Sequence, residues 1–255
     1  MVEVLAGAEP FAYEGSDVGV LVLHGFTGST QSVGYLGEQL HRRFGFSVVG
    51  PRLPGHGTSP DEMARTGYLD WVGEAESALR KLAEGKRKVF VTGLSMGATL
   101  ALNLAARFPD LVAAIAPIAP AAGVMNDGFA TVLSMNPPLD RIPGIGSDIK
   151  AEGVKELAYD QVPVSCMREV VLLISITRDM MHKIVCPALV MHGREDHVLP
   201  SANALAVVNT VRSDDVRLLW LNNSYHVATL DNDKDLIVQR VGAFFSEIAA
   251  ASSAS

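Results

Sequence analysis

The sequence has 255 residues, of which 48% are hydrophobic and 19% are charged, so it carries enough apolar chain for one large globular core and excludes a disordered protein. The formal net charge of −7 and the scattered Lys and Arg residues leave no basic surface for nucleic acid or anionic lipid. Residues 1–15 lack the cationic start and apolar run of an export signal, and no apolar stretch is long enough to span a bilayer, so we expect a cytoplasmic protein without an integral membrane segment.

Along the chain, short β-branched runs alternate with segments whose apolar residues recur at helical spacing. Six runs that stop at Gly, Pro or Asn predict buried strands: 18–25, 46–55, 88–93, 111–120, 186–193 and 216–222. Five segments predict helices: 32–44, 68–85, 95–108, 201–211 and 235–250. Continuous apolar strands separated by helices predict an α/β fold, with a mostly parallel central sheet covered by helices on both faces.

The alternation stops between residues 121 and 184, where turns, helix signals and many Met, Pro and Gly residues replace a strand. This insertion begins after one predicted strand and ends before the next, so we expect it at the carboxyl edge of the sheet, where open α/β sheets bind ligands. Its apolar content predicts a cap over an apolar pocket, and the alternative is a helical segment that only fills the core. The predicted domains are a core of residues 1–120 and 185–255 and a cap of residues 121–184.

Ser95 lies between Gly93 and Gly97 in VTGLSMGATL, after a predicted strand and before a predicted helix. The Gly-x-Ser-x-Gly pattern alone is weak, but this context forces a tight turn that exposes the hydroxyl. The helix N-terminus also offers a positive dipole end and a free N–H to a developing oxyanion. The alternative, a dinucleotide-binding loop, would need glycine at position 95. We therefore predict that Ser95 is a nucleophile.

A serine nucleophile needs a base and a group that orients the base. His226 follows the last predicted strand, and Glu195 and Asp196 follow the strand before it. The chain order of serine, acid and histidine is the one that this kind of sheet uses. Asp196 is preferred as the acid because the Gly-x-x-Asp spacing gives the chain room to turn the carboxylate toward the histidine, and Glu195 is the alternative.

Four other histidines compete with His226, and their positions argue against them: His24 and His56 precede the nucleophile, and His192 and His197 crowd the acid. The HGFTG turn at His24 is where a second oxyanion donor is expected, the N–H of Phe26 beside that of Met96. Two cysteines, Cys166 and Cys186, have no metal-ligand partner at short spacing. Without an export signal we expect both to be reduced thiols.

The chain closely resembles the bacterial monoacylglycerol lipase and carboxylesterase group of α/β-hydrolases through six motifs that occur in this order: LHGFTGS, PRLPGHGT, VTGLSMGATL, GSDIKAEGVKELAYD, VCPALVMHGREDHVLP and NSYHVATLD. The resemblance covers residues 8–247 and implies the α/β-hydrolase fold with a helical cap. It implies a catalytic triad of Ser95, Asp196 and His226 and an oxyanion hole formed by the amides of Phe26 and Met96. These are the residues that the spacing of the motifs predicts.

The resemblance also extends to the insertion, where it implies that Ile145 and Glu156 belong to the positions that contact the acyl chain and glycerol. A plain packing role for Ile145 and simple solvation of Glu156 are the alternatives. The sequence departs from the family at one point of the serine motif, because Gly97 is followed by Ala98 where a second glycine is usual. We expect the extra methyl group to be tolerated at the contact between helix and sheet.

The implied reaction is hydrolysis of a small lipid ester through an acyl group on Ser95, with no metal and no organic cofactor. A monoacylglycerol substrate would release glycerol and a free fatty acid. Three alternatives stay open: a generalist carboxylesterase for short- to medium-chain esters, a carbon–carbon hydrolase or amidase, and a non-catalytic binding protein with the same fold. The sequence leaves the preferred acyl length open, and it does not choose between a monomer and a homodimer.

Overall fold

A computed structural model describes residues 3–251 of the chain. Its strands include the six predicted ones and three short additional ones: β1 Phe11–Tyr13, β2 Val18–Leu23, β3 Ser47–Gly50, β4 Lys88–Leu94, β5 Val112–Ile118, β6 Arg141–Pro143, β7 Gln161–Pro163, β8 Ala188–Gly193 and β9 Val216–Leu221. The helices are α1 Gln31–Phe44, α2 Pro60–Met63, α3 Tyr68–Ala83, α4 Met96–Arg107, α5 Asp127–Ser134, α6 Val164–Met180, α7 Ala202–Thr210 and α8 Lys234–Ala251.

Seven strands form one sheet in the order β1-β3-β2-β4-β5-β8-β9. All neighbouring pairs in it are parallel except β1 and β3. The predicted α/β fold with a mostly parallel sheet is therefore confirmed. The antiparallel edge strand β1 was not predicted. It is held by the ring of Phe11, which lies where a side chain at Gly37 or Gly50 would stand.

Apolar side chains on the two faces of the sheet form two core clusters. Trp71 of α3 and Leu100 of α4 belong to the cluster on one face. Leu36 of α1 and Phe245 of α8 belong to the other, where the Phe245 ring stacks on Phe90 of β4 at 4.5 Å. Because both faces are covered, the strands at the centre of the sheet carry apolar side chains on both faces. None of the helices in residues 3–251 has the length and hydropathy needed to cross a bilayer.

The predicted insertion contains α5, the two-stranded antiparallel sheet β6–β7 and α6. Helix α5 buries none of its residues, whereas α6 buries seven, among them Leu173 and Ile174 in the core cluster that includes α4. The outer part of the insertion therefore stands apart from the core, while α6 also fills core space. A cap at 121–184 stays a prediction. Within that range, helix α6 packs into the core, as the alternative of a core-filling segment expects. Cys166 of α6 is buried, and it and Cys186 are free thiols.

Candidate active site

Ser95 lies in the tight turn between β4 and α4, at the N-cap position of α4, and its side chain makes no capping hydrogen bond. Its backbone has φ 56° and ψ −116°, which is a strained conformation for a residue with a side chain. The turn needs glycine on both sides. A Cβ at Gly97 would lie 2.1 Å from the Leu23 carbonyl oxygen, and one at Gly93 would lie 2.6 Å from the Gly97 backbone. Ala98, by contrast, is fully buried in the first turn of α4 with its methyl group accommodated.

The structure brings Ser95, His226 and Asp196 together at the carboxyl edge of the sheet. The Ser95 hydroxyl lies 3.0 Å from His226 Nε2, and His226 Nδ1 lies 2.8 Å from Asp196 Oδ2. With Asp196 ionised, His226 carries its proton on Nδ1 and accepts the hydroxyl proton of Ser95 at Nε2. These are the distances and roles that nucleophilic attack by a serine requires.

Asp196 accepts three hydrogen bonds, and the ring of His192 lies close to it. Its Oδ1 accepts the main-chain N–H groups of Val198 at 2.9 Å and Leu199 at 2.8 Å. Its Oδ2 accepts His226 Nδ1–H and lies 3.3 Å from His192 Nε2. Burial alone would raise the pKa of Asp196, but the His226 charge and these hydrogen bonds outweigh burial and hold the pKa well below its ordinary value. The carboxylate therefore stays ionised.

His226 shows the matching shift. Burial lowers the pKa of His226, but the adjacent Asp196 carboxylate, with Glu156 and Asp148 beyond it, outweighs burial and leaves the pKa above its ordinary value. The site therefore favours the imidazolium that forms when His226 accepts a proton. Glu195, the alternative acid, is half-exposed and pairs with Lys150 at 2.8 Å. The carboxylate bonded to His226 is that of Asp196.

The four competing histidines bond to other partners. His24 Nε2 accepts the Leu53 N–H at 3.1 Å, and burial lowers the pKa of His24 to about 4. Burial and the neighbouring His24 lower the pKa of His56 to about 3. His192 bonds to the Leu199 carbonyl, and His197 lies at the surface. His226 is thus the histidine that the structure places at Ser95.

The predicted oxyanion donors flank the same hydroxyl. A Cβ built on Gly25 would lie 3.4 Å from Ser95 Cβ, so the HGFTG turn runs directly beside the nucleophile. Phe26 and Met96 both line the cavity above Ser95. In the part of the chain that the structure describes, neither main-chain N–H donates to a backbone carbonyl. Their role as oxyanion donors stays a prediction.

A cavity lies above Ser95 between the core and the insertion. Most of its wall is apolar, from Phe26 and Met96 on the core side to Phe129, Val170 and Ile174 on the insertion side. Among residues 3–251, no cluster of three His, Cys, Asp or Glu side chains could hold a metal ion. The wall thus suits an apolar chain close to the hydroxyl.

Both residues that the resemblance singles out in the insertion line this cavity. Ile145 is 52% exposed and lies at the rim. Glu156 is half-buried, and its Oε1 accepts the Ser32 hydroxyl at 2.5 Å. Burial raises the pKa of Glu156, although the Ser32 hydrogen bond and the His226 charge act in the opposite sense. Glu156 is therefore a fixed wall group rather than a solvated surface carboxylate.

Sequence analysis missed two residues at the site, Ser32 and Asp148. Asp148 lines the cavity and accepts the main-chain N–H of His226 at 3.0 Å. Ser32 and Glu156 are 124 positions apart, and Asp148 and His226 are 78 apart. No local pattern marks either contact, so only the folded chain reveals them.

Comparisons with known proteins find relatives over nearly the whole chain. The sequence profile of the α/β-hydrolase family matches residues 20–240. The chain is 42% identical over 245 residues to a thermostable monoacylglycerol lipase of Bacillus sp. strain H-257, with 96% of both chains covered. It is 31% identical over 243 residues to a carboxylesterase of Bacillus subtilis strain 168, covering 94% of this chain and 97% of the relative.

A solved structure from the metagenome-derived lipolytic enzymes LipS and LipT superposes with a TM-score of 0.92 at 47% identity. That match covers 96% of this chain and 100% of the other. At this identity and coverage, the two chains share the fold over nearly their whole length.

Proposed function

The chain belongs to the α/β-hydrolase family, and from that membership and the geometry at Ser95 we propose that it is a serine ester hydrolase that cleaves monoacylglycerols to glycerol and free fatty acid. The observation that carries the proposal is the hydrogen-bonded series from Ser95 through His226 to Asp196 at the floor of an apolar cavity. The similarity to a monoacylglycerol lipase over 96% of the chain supports the choice of substrate.

In the first half of the reaction, Ser95 Oγ attacks the ester carbonyl while His226 Nε2 takes its proton. The oxyanion of the tetrahedral intermediate accepts hydrogen bonds from the N–H groups of Phe26 and Met96. His226 then gives the proton to the departing glycerol oxygen, which leaves the acyl group on Ser95. Asp196 stabilises the imidazolium throughout and stays ionised, in line with its lowered pKa.

In the second half, water takes the place of glycerol. His226 accepts a proton from the water as it attacks the acyl carbonyl, and the same two amides bind the oxyanion. The proton then passes to Ser95 Oγ, and the fatty acid leaves. The ester bond to Ser95 retains the acyl chain between the two halves, and the apolar wall of the cavity packs against it.

Glu156 is the proposed contact for the alcohol. Its carboxyl group is fixed by Ser32 and borders the same cavity as Ser95. A glycerol hydroxyl can bond to its second oxygen, whereas a methyl ester offers no hydroxyl and leaves the carboxyl group with the Ser32 hydrogen bond alone. A second or third acyl chain would bring apolar bulk to the same carboxyl group. Monoacylglycerols are therefore favoured over methyl esters and over di- and triacylglycerols.

A generalist carboxylesterase is the second candidate. The mostly apolar cavity wall favours it, as does the similarity to the Bacillus subtilis carboxylesterase. Both candidates share every proposed catalytic residue. They differ in how strongly the alcohol part of the ester affects the rate.

The deciding measurement is the ratio of kcat/KM for the glyceryl and methyl esters of one fatty acid. We expect the wild type to prefer the glyceryl ester, and Glu156→Ala to lower the ratio by about 10- to 100-fold, as for loss of one hydrogen bond to a charged group. Glu152→Gln is the matched control, since Glu152 is an exposed acid of the same segment. Equal rates in the wild type, or ready turnover of triacylglycerol, would favour the generalist. A preference that survives Glu156→Ala would remove Glu156 from the site and leave the enzyme class standing.

A further inference from the structure

One carboxylate joins the loops that carry the proposed acid and base. Asp148 lies in the segment between β6 and β7, and its Oδ2 accepts the main-chain N–H of His226 at 3.0 Å. The same oxygen accepts the main-chain N–H of His197 at 3.2 Å. Because His197 directly follows Asp196, a single oxygen atom connects the loop of the acid to the backbone of the base.

The segment around Asp148 is fixed to the histidine loop at further points. The Asp148 carbonyl accepts the N–H of Val227 at 3.1 Å. Asp231, which is buried, accepts the N–H groups of Lys150 at 2.7 Å and Ala151 at 2.9 Å, and also that of Tyr225 at 2.9 Å. Residues 148–151 therefore form a rigid support against the loop rather than a passing surface segment.

We propose that Asp148 is a positioning residue, which sets the distance between His226 and Ser95 by holding the acid loop and the base loop together. The inference rests on the proposed function, because it assigns Asp148 to the same reaction. Asp148 touches neither Ser95 Oγ nor the imidazole of His226 through a hydrogen bond, so it acts through the backbone. A shift of about 1 Å in a reacting group can cost about 100-fold in rate, so this backbone contact is enough to matter.

Asp148 also contributes charge. Its side chain is 14% exposed, and its Oδ1 pairs with His197 Nδ1 at 2.8 Å. The charged or titratable groups around His226 are the carboxyl groups of Asp196, Glu156 and Asp148, and His197 lies on the outer side of Asp148. All three carboxylates favour the imidazolium form of His226. Removing the charge of Asp148 should therefore lower the pKa of His226.

These two contributions separate in two variants. Asp148→Asn keeps an oxygen that can accept both main-chain N–H groups, and its NH₂ can donate to the neutral form of the exposed His197. Asp148→Ala removes the acceptor and leaves both N–H groups without their partner. We expect Asp148→Ala to lower kcat by about 10- to 100-fold with KM little changed, and Asp148→Asn to keep kcat within about threefold of the wild type. In both variants the acid limb of kcat/KM should move to lower pH.

The experiment measures kcat, KM and the pH dependence of kcat/KM for p-nitrophenyl butyrate with the wild type, both Asp148 variants and the Glu152→Gln control, with thermal unfolding of each protein. If Asp148→Ala does not fold, the acid limb of Asp148→Asn carries the test. A kcat of Asp148→Ala within about twofold of the wild type would overturn the proposal, as would an equal loss in Asn and Ala or an unmoved acid limb. The proposed function is tested separately by Ser95→Ala. If that variant abolishes the hydrolysis seen with the wild type, the proposed function stands even where the proposal for Asp148 fails.

Discussion

Asp196→Asn tests the hydrogen bonds of the proposed acid most directly. Each oxygen of this carboxylate faces two donors. Oδ1 accepts two main-chain N–H groups, and Oδ2 faces the ring nitrogens of His226 and His192. An asparagine has one acceptor oxygen and one NH₂ group, so one pair of donors must face the NH₂.

The two orientations of the amide have different consequences. If its oxygen stays on the main-chain N–H groups, the NH₂ donates to His226 Nδ1, and the imidazole proton moves to Nε2, where it faces Ser95 and blocks proton transfer. If the oxygen turns to His226, two buried N–H groups lose their partner at about 1–3 kcal/mol each. The competent orientation then lies about 2–6 kcal/mol higher, which makes it about 30- to 20,000-fold rarer.

We therefore expect kcat to fall by about 30- to 20,000-fold in Asp196→Asn while the fold is kept. The assay is steady-state hydrolysis of p-nitrophenyl butyrate, with circular dichroism and thermal unfolding to verify the fold. Glu195→Gln is the matched control, because it makes the same chemical change at the neighbouring exposed acid. A folded Asp196→Asn protein that keeps kcat within about threefold, or a larger loss in Glu195→Gln, would refute the reasoning.

Ser95→Ala should lower kcat by about 10⁴- to 10⁶-fold. A fluorophosphonate should label Ser95, which mass spectrometry of the labelled peptide identifies. A label on another serine would contradict the assignment. The value of kcat/KM should fall as the pH is lowered through the pKa of His226, which lies above the 6.5 of an ordinary histidine, because the imidazolium cannot accept a proton. A pH profile that stays flat far below 6.5 would argue against a histidine base. Gly97→Ala should lower the free energy of unfolding by about 1–3 kcal/mol or more, since its Cβ would lie 2.1 Å from the Leu23 carbonyl oxygen. Gly73→Ala is the control, because Gly73 lies in a helix and nothing lies within 4 Å of the new Cβ; it should raise the free energy of unfolding by about 0.5–1 kcal/mol. Denaturant unfolding measures both variants, and equal effects would contradict the expected strain at Gly97.

The sequence predicts those parts of the fold that have a strong local signal. The six longer strands of the main sheet are rich in apolar residues, and each of the three proposed triad residues follows the end of one of them within about five positions. Since the carboxyl ends of parallel strands meet at one edge, position along the chain is enough to predict that Ser95, Asp196 and His226 come together. The structure brings them together at hydrogen-bonding distance.

Features without a local signal could not be predicted. Strand β1 is three residues long, and what holds it is the Phe11 ring against two glycines that are distant in sequence. Glu156 looks like a surface carboxylate until Ser32 is placed beside it. Asp148 is one of many acidic residues, and its importance comes from main-chain N–H groups that lie 49 and 78 positions further on.

The separation of Ser95 and His226 by 131 positions has a consequence for synthesis of the chain. A ribosome adds roughly 5–20 residues per second, so about 7–26 s pass between the addition of the serine and that of the histidine. During that interval the growing polypeptide carries an unactivated hydroxyl, because its base does not yet exist. On the proposed roles, the nascent protein therefore lacks the base and the acid for Ser95 until the loops after strands β8 and β9 have been synthesised.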